Sequence, residues 1–328
     1  MKITSRDLRL DGLKLFLVGM VVAGHCIQPF RYDNVFHGGV YGLIYSFHMP
    51  LFVLLSGYFF KVCDWKSEVR KNFRLLETFV TITIVFWIAG GMTYSWPLVR
   101  LSTCPSWYLF SLVCWRVVTN VALRRCRIEN LIITSIVLSV MAYLVINYGE
   151  GIFAIMRTIQ FYPYFLLGYA IRQGLVDAEK LPKQTIFFAS LILTVIVALL
   201  SNYALYTQEF QGVGLFRWCN QFGMPLLVGG GWLLVKTVSL TNSFVVWKYV
   251  RMPSRLASFG QSSLLIYAIH TMTVPLIYQH CKVLWLTLLA GVVTLAIGML
   301  ISQCRIAIFI TNPMTTIIDK ISNKIKIK

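Results

Sequence analysis

Lys14 and His25 lie in the first apolar stretch of this 328-residue chain, inside Asp11-Gly-Leu-Lys-Leu-Phe-Leu-Val-Gly-Met-Val-Val-Ala-Gly-His25. On one helix they are about 16 Å apart along the axis, roughly three turns, and face broadly the same side. A titratable group at membrane depth is costly and by default faces an interior cavity. Imidazole exchanges a proton near neutral pH, so the pair points to a membrane-embedded active site centred on His25. His48 in Phe47-His-Met-Pro-Leu-Phe-Val-Leu-Leu-Ser-Gly57 and His270 in Tyr267-Ala-Ile-His270 are further imidazoles in apolar runs, near Pro50 and Pro275. Proline within a membrane helix frees a carbonyl that a cavity or a neighbour must satisfy. His37, in a brief outer loop, reads as a solvated residue.

Helices crossing a membrane are needed to hold these groups. With 57% apolar and 13% charged residues and a mean hydropathy of +0.71, the chain is no ordinary soluble domain, where about a quarter of residues are charged. Windows long enough to cross about 30 Å of hydrocarbon fall near 12–30, 39–60, 75–96, 104–122, 131–148, 153–171, 185–206, 217–240, 259–280 and 283–310. The expectation is an all-α polytopic integral membrane protein of about ten transmembrane helices, one domain over 1–328.

A net charge of +18 would suggest nucleic acid in a soluble protein. With the amino terminus placed in the cytoplasm, all of the 30 lysines and arginines except Arg31, Arg100, Arg157, Arg217 and Lys282 fall on the inner side. That asymmetry follows the positive-inside rule with both termini cytoplasmic, so the charge implies membrane lipid and no nucleic acid. The tail from Lys320 to Lys328 reads as an inner-face anchor. Lys2, Arg6 and Arg9 before an apolar run resemble a cleaved secretory signal, but Lys14, His25 and the charge count fit retention of the segment.

The first inner loop, Lys61 to Arg74, is the most basic part of the chain. Arg70 and Arg74 share a helical face, which suits either anionic headgroups or, with Lys71, a clamp on the phosphates of a nucleotide-bearing donor. Glu77, starting the third span, reads as a partner for Arg74 or Lys14 or as a catalytic carboxylate. Trp107 and Tyr108 read as interfacial belt residues or as a sugar-stacking platform. Glu150, Arg157, Gln160 and Glu209 lie where a polar substrate could meet them, and Gly229-Gly-Gly231 suits close helix packing. Eight scattered cysteines show no metal spacing and read as small apolar fillers. Gly-x-Ser-x-Gly, Walker and His-Glu-x-x-His signatures are absent from the sequence, so serine-triad hydrolysis, ATP-driven transport and zinc chemistry lose support.

Asp11-Gly-Leu-Lys-x10-His25, Phe47-His-Met-Pro-Leu-Phe-x3-Ser-Gly-Tyr58, the basic run into Arg74, Pro105-Ser-Trp-Tyr-Leu109, Tyr162-Pro-Tyr-Phe-Leu-Leu-Gly-Tyr169 and Tyr267-Ala-Ile-His270 together resemble the membrane-bound acyltransferase 3 family, nearest its fucose-4-O-acetylase-like members. Where that family commonly has arginine, Lys14 keeps the charge and loses the bidentate fork. Of a frequent Arg-x-Arg pair, Asn72-Phe-Arg74 supplies only the second member. The resemblance implies transfer of an acyl group, most often acetyl, from cytoplasmic acetyl-CoA to a hydroxyl of a cell-envelope glycan or lipid-linked sugar at the bacterial inner membrane, with no metal. His25 would be the general base. Lys14, His48 or Tyr108 would be oxyanion donors, Arg70, Lys71 and Arg74 would hold the CoA phosphates, and Trp107, Tyr108 and His270 would contact substrate. Direct transfer and a covalent acyl-histidine both remain open. The rival is a transporter or flippase with a His- and Lys-lined cavity and no acyl chemistry; few intramembrane carboxylates and no visible inverted repeat weigh against it. A scaffold with hydrogen-bonded histidines is a third reading.

Overall fold

Each apolar window contains a helix among the residues that the computed structural model describes, which are 7–89, 107–145, 154–200, 225–280, 282–304 and 315–316. The helices are α1 (Leu8–Ile27), α2 (Val35–Phe59), α3 (Trp65–Ala89), α4 (Trp107–Ala122), α5 (Ile128–Val145), α6 (Ile155–Arg172), α7 (Lys183–Leu200), α8 (Pro225–Tyr249), the short α9 (Ser254–Ala257), α10 (Ser263–His280) and α11 (Leu284–Ile301). Tight 3₁₀ turns at Gln28–Phe30 and Ser258–Ser262 extend α1 and lead into α10. Every regular element among the described residues is helical. Asp7 caps α1 by accepting from the Arg9 and Leu10 amides, and Asn34 caps α2 by accepting from the His37 amide, satisfying donors that a helix start leaves open. Leu8–Phe30, Val35–Phe59 and Leu284–Ile301 are long and apolar enough to cross a membrane. Large apolar side chains point outward on α7 and α11, among them Phe188 and Val292.

Two close backbone approaches position the core. α2 packs most extensively on α6. A Cβ on Gly57 would lie 1.8 Å from the Phe165 carbonyl oxygen, and one on Gly168 would lie 1.9 Å from that of Leu54. Only glycine fits at either point. Likewise a Cβ on Gly260 would lie 1.8 Å from the Asp11 carbonyl oxygen, so the turn before α10 is pressed against α1. A polar node ties α2 to α7 and α8: the Asn242 amide donates to Ser46 Oγ at 2.7 Å and to Thr194 Oγ1 at 3.2 Å, and its carbonyl accepts from Ser190.

α8 departs from its expected limits. Lys236, counted among the inner-face charges, sits mid-helix because the helix continues through a Thr- and Ser-rich stretch to Tyr249. Its ammonium donates to the Gln160 carbonyl at 3.0 Å and lies 5.3 Å and 5.1 Å from the ring centres of Phe161 and Tyr164. The carboxy-terminal end of the helix is marked instead by Lys248, which donates to the Glu179 and Leu181 carbonyls. Arg100, Pro105, Glu150, Glu209, Arg217 and the 320–328 tail lie outside the described residues.

Candidate active site

The amino-terminal turns of α1 and the last turns of α2 converge with α4 and α10 around a cavity of about 430 Å³. Its walls are mainly apolar, with Phe52, Leu55, Phe59 and Leu109 among them; its polar lining is Asp11, Lys14, Ser56, Tyr108, Arg116, Ser263 and Tyr267. Lys14 pairs with Asp11 at 3.4 Å, and its ammonium lies 3.7 Å from the ring centre of Phe59. The Ser56 and Tyr108 hydroxyls are 2.5 Å apart, and Ser56 also meets the Phe52 carbonyl at 2.9 Å. Ser56 precedes Gly57, so the α2–α6 contact that demands glycine also fixes this hydroxyl in the wall.

His25 is not among the residues lining that cavity but is linked to its wall by ring contacts. Its imidazole stacks on that of His270 with centres 5.4 Å apart; His270 meets Tyr267 at 5.1 Å, and Tyr267 meets Tyr108 at 6.2 Å. His25 Nδ1 is 3.0 Å from Gln28 Oε1, which also accepts from the Tyr45 hydroxyl at 3.4 Å. An amide oxygen can only accept, so Nδ1 carries the proton and Nε2 holds a lone pair. Nε2 has no hydrogen-bond partner among the described residues, and the ring is half-buried. This is the tautomer that a general base requires.

His48 is set up the opposite way for an oxyanion. Its Nδ1 donates to the Ile44 carbonyl at 2.8 Å, so in the neutral ring Nε2 accepts and cannot donate. The ring stands edge-on to Tyr45 at 4.6 Å. His270 is fully buried, with neither ring nitrogen hydrogen-bonded among the described residues. The three imidazoles anticipated at membrane depth therefore occupy one neighbourhood with Tyr45, with Gln28 as a further member.

The other expected groups divide. Tyr108 is buried in the cavity wall, where a belt residue would face lipid headgroups. Trp107 packs on Phe161 at 5.6 Å with the Arg157 guanidinium 5.7 Å from its ring centre, and does not line the cavity. Arg70, Lys71 and Arg74 are exposed on α3 and also lie outside the lining. The opposite face of α3, at the same four-residue spacing, carries buried Glu68 and Asn72. They accept from Arg116 Nη2 and Nε, each at 2.9 Å. Arg116 is the cavity cation that sequence reading took for a topology charge; its depth within an apolar run was the available signal. Glu77 accepts from the Thr315 amide at 3.1 and 3.2 Å.

A family model described as an acyltransferase domain matches residues 7–303. The chain belongs to this acyltransferase family. Among relatives of the acyltransferase, the nodulation protein NolL of Sinorhizobium fredii is 23% identical over 295 residues, covering 81% of this chain and 77% of its own length. The NolL of Mesorhizobium japonicum is 24% identical over 294 residues, covering 81% and 76%. No solved structure matches. The match takes in α1 to α11, and so every residue of the acyltransferase that lines the cavity or surrounds His25.

Proposed function

We propose that this acyltransferase moves an acyl group, acetyl in the first instance, from cytoplasmic acyl-CoA to a hydroxyl of a cell-envelope glycan or lipid-linked sugar. The observation that carries the reading is His25, whose Nε2 the Gln28 contact leaves as a free acceptor. The acceptor hydroxyl gives its proton to Nε2 as its oxygen attacks the thioester carbonyl carbon. The carbon–sulfur bond then breaks, and the CoA thiolate leaves and takes the proton from the imidazolium, so base and charge are restored. No metal is required. The cavity suits the donor because it pairs a long apolar wall with the cations Lys14 and Arg116. Arg70, Lys71 and Arg74, exposed on α3, draw the anionic donor toward the protein from solution. Tyr267 lines the cavity and leads through His270 to His25, so the thioester approaches His25 along that aromatic wall. Substrate contacts fall to His270, Tyr108 and Trp107, and His48 acts as a donor only when protonated.

The same reading makes the chain a multi-pass protein of the bacterial inner membrane, with about ten crossings and both termini cytoplasmic. It is supported by the ten long helices among the described residues and by the one-sided distribution of lysine and arginine. The test is CoA release. Purified protein in detergent, given acetyl-CoA and candidate glycans, is expected to release CoA in an acceptor-dependent manner, and His25→Ala to abolish release without lowering folded yield. Ligand uptake into proteoliposomes with no thioester consumed would overturn the reading in favour of a transporter.

A further inference from the structure

We propose that Arg116 is the phosphate-holding residue of the cavity, an inference that rests on the acyl-CoA reading. A guanidinium carries five N–H groups in a planar fork. Arg116 spends one on Asn72 Oδ1 and one on Glu68 Oε2, and Nη1 has no hydrogen-bond partner among the described residues. Those two bonds fix the plane of the fork, and Arg116 is a lining residue of the cavity. Glu68, fully buried, is itself held by the Asn72 amide at 3.0 Å and by the Cys63 thiol at 3.1 Å, so its orientation is determined from three sides. Lys71 reaches Cys63 Sγ at 3.5 Å and Arg124 donates to the Cys63 carbonyl at 2.9 Å. The local charge is therefore three cations against Glu68 and the nearby Asp64. A pre-oriented fork with spare donors in an electropositive corner matches a phosphate better than a lone carboxylate or a neutral sugar does. The apolar walls alongside suit a phosphate carried on a long, weakly polar arm. A nucleotide-bearing thioester and a phospholipid headgroup share this chemistry, and the donor reading favours the first.

The test uses the full chain in detergent and reads dissociation constants by calorimetry for CoA, for short-chain phosphatidate and for pantetheine, which lacks phosphate. Arg116→Gln is expected to weaken CoA binding by about tenfold or more, the usual worth of a charged bidentate contact, while leaving pantetheine unchanged. Arg116→Lys keeps the charge and the Glu68 pair, and so covers a folding failure of the glutamine variant. It is expected to weaken CoA by about threefold and to raise the KM for acetyl-CoA with kcat held, because the fork is lost while the imidazoles are unaltered. CoA binding within twofold of wild type in both variants overturns the inference alone. Loss confined to phosphatidate overturns the donor as the occupant. Wild-type protein that binds no CoA overturns the acyl-CoA reading and this inference with it.

Discussion

At His25 the position of one proton decides the chemistry. Gln28 Oε1 holds that proton on Nδ1, and without it the ring could present the wrong nitrogen to substrate. His25→Ala is expected to cost about a hundredfold or more in kcat, the ordinary worth of a general base. Gln28→Leu is expected to cost about twofold, because the correct tautomer would become one of two; steady-state CoA release measures both. Cys63 supplies a check on the neighbouring network. Burial, together with a hydrogen bond and charge from Glu68, pushes its thiol pKa up despite Lys71, so less thiolate forms at a given pH. Alkylation near pH 8 is expected to be slower at Cys63 than at exposed Cys126, and Glu68→Gln is expected to accelerate it; mass spectrometry after timed labelling reads the difference. The imidazoles and Lys14 were legible in the sequence because each is chemically out of place in an apolar run. Gln28 was not, since a glutamine just past a helix end has no such contrast. Arg116 was not, since a basic residue near an inner loop already has an explanation in topology.

For the helices, sequence patterning gave existence better than limits. Each of the ten apolar windows holds a long helix among the described residues, yet α3 starts at Trp65, ten residues ahead of its window, because polar residues on one face bind Arg116 instead of ending the helix. Lys236 was misplaced for a similar reason: a lysine that donates to a carbonyl and lies against two rings can sit mid-helix. A lysine ammonium held half-buried against two rings with one carbonyl partner is incompletely solvated, so Lys236→Met is expected to hold or raise the melting temperature in detergent. The Ser-Gly motif in α2 was visible, but the carbonyl that requires its glycine belongs to α6 and is distant in sequence. Gly57→Ala and Gly168→Ala are each expected to destabilise by about 3 kcal/mol through backbone overpacking, seen as a lower midpoint in thermal unfolding.

Across the whole molecule, chain segments far apart in sequence meet at Glu179. Arg9 donates to its carboxylate at 2.9 Å and to the Trp247 carbonyl at 3.0 Å, and the Trp247 indole donates to the same carboxylate at 3.3 Å. The Arg9 hydrogen bond chiefly holds this carboxyl below its usual pKa, against a partial opposing effect of desolvation. A depressed folded-state value means that the clasp stabilises above the unfolded glutamate range of about 4.3 and is lost as pH falls through the lower folded value. Acid titration is expected to shift Trp247 fluorescence in that window, and Arg9→Gln to remove the shift. Nothing local in the sequence announces this clasp, because its three parts come from α1, the α6–α7 loop and the end of α8.

The glycine contacts have a further consequence for the chamber between them. One side is α2 jammed against α6 at Gly57 and Gly168, the other is α1 jammed against the turn before α10 at Gly260. Neither side can bow or slide internally without driving a backbone atom into its neighbour. Only the gap between the two slabs can change, so a bulkier acyl chain is expected to be admitted by the slabs parting as units and not by either one deforming.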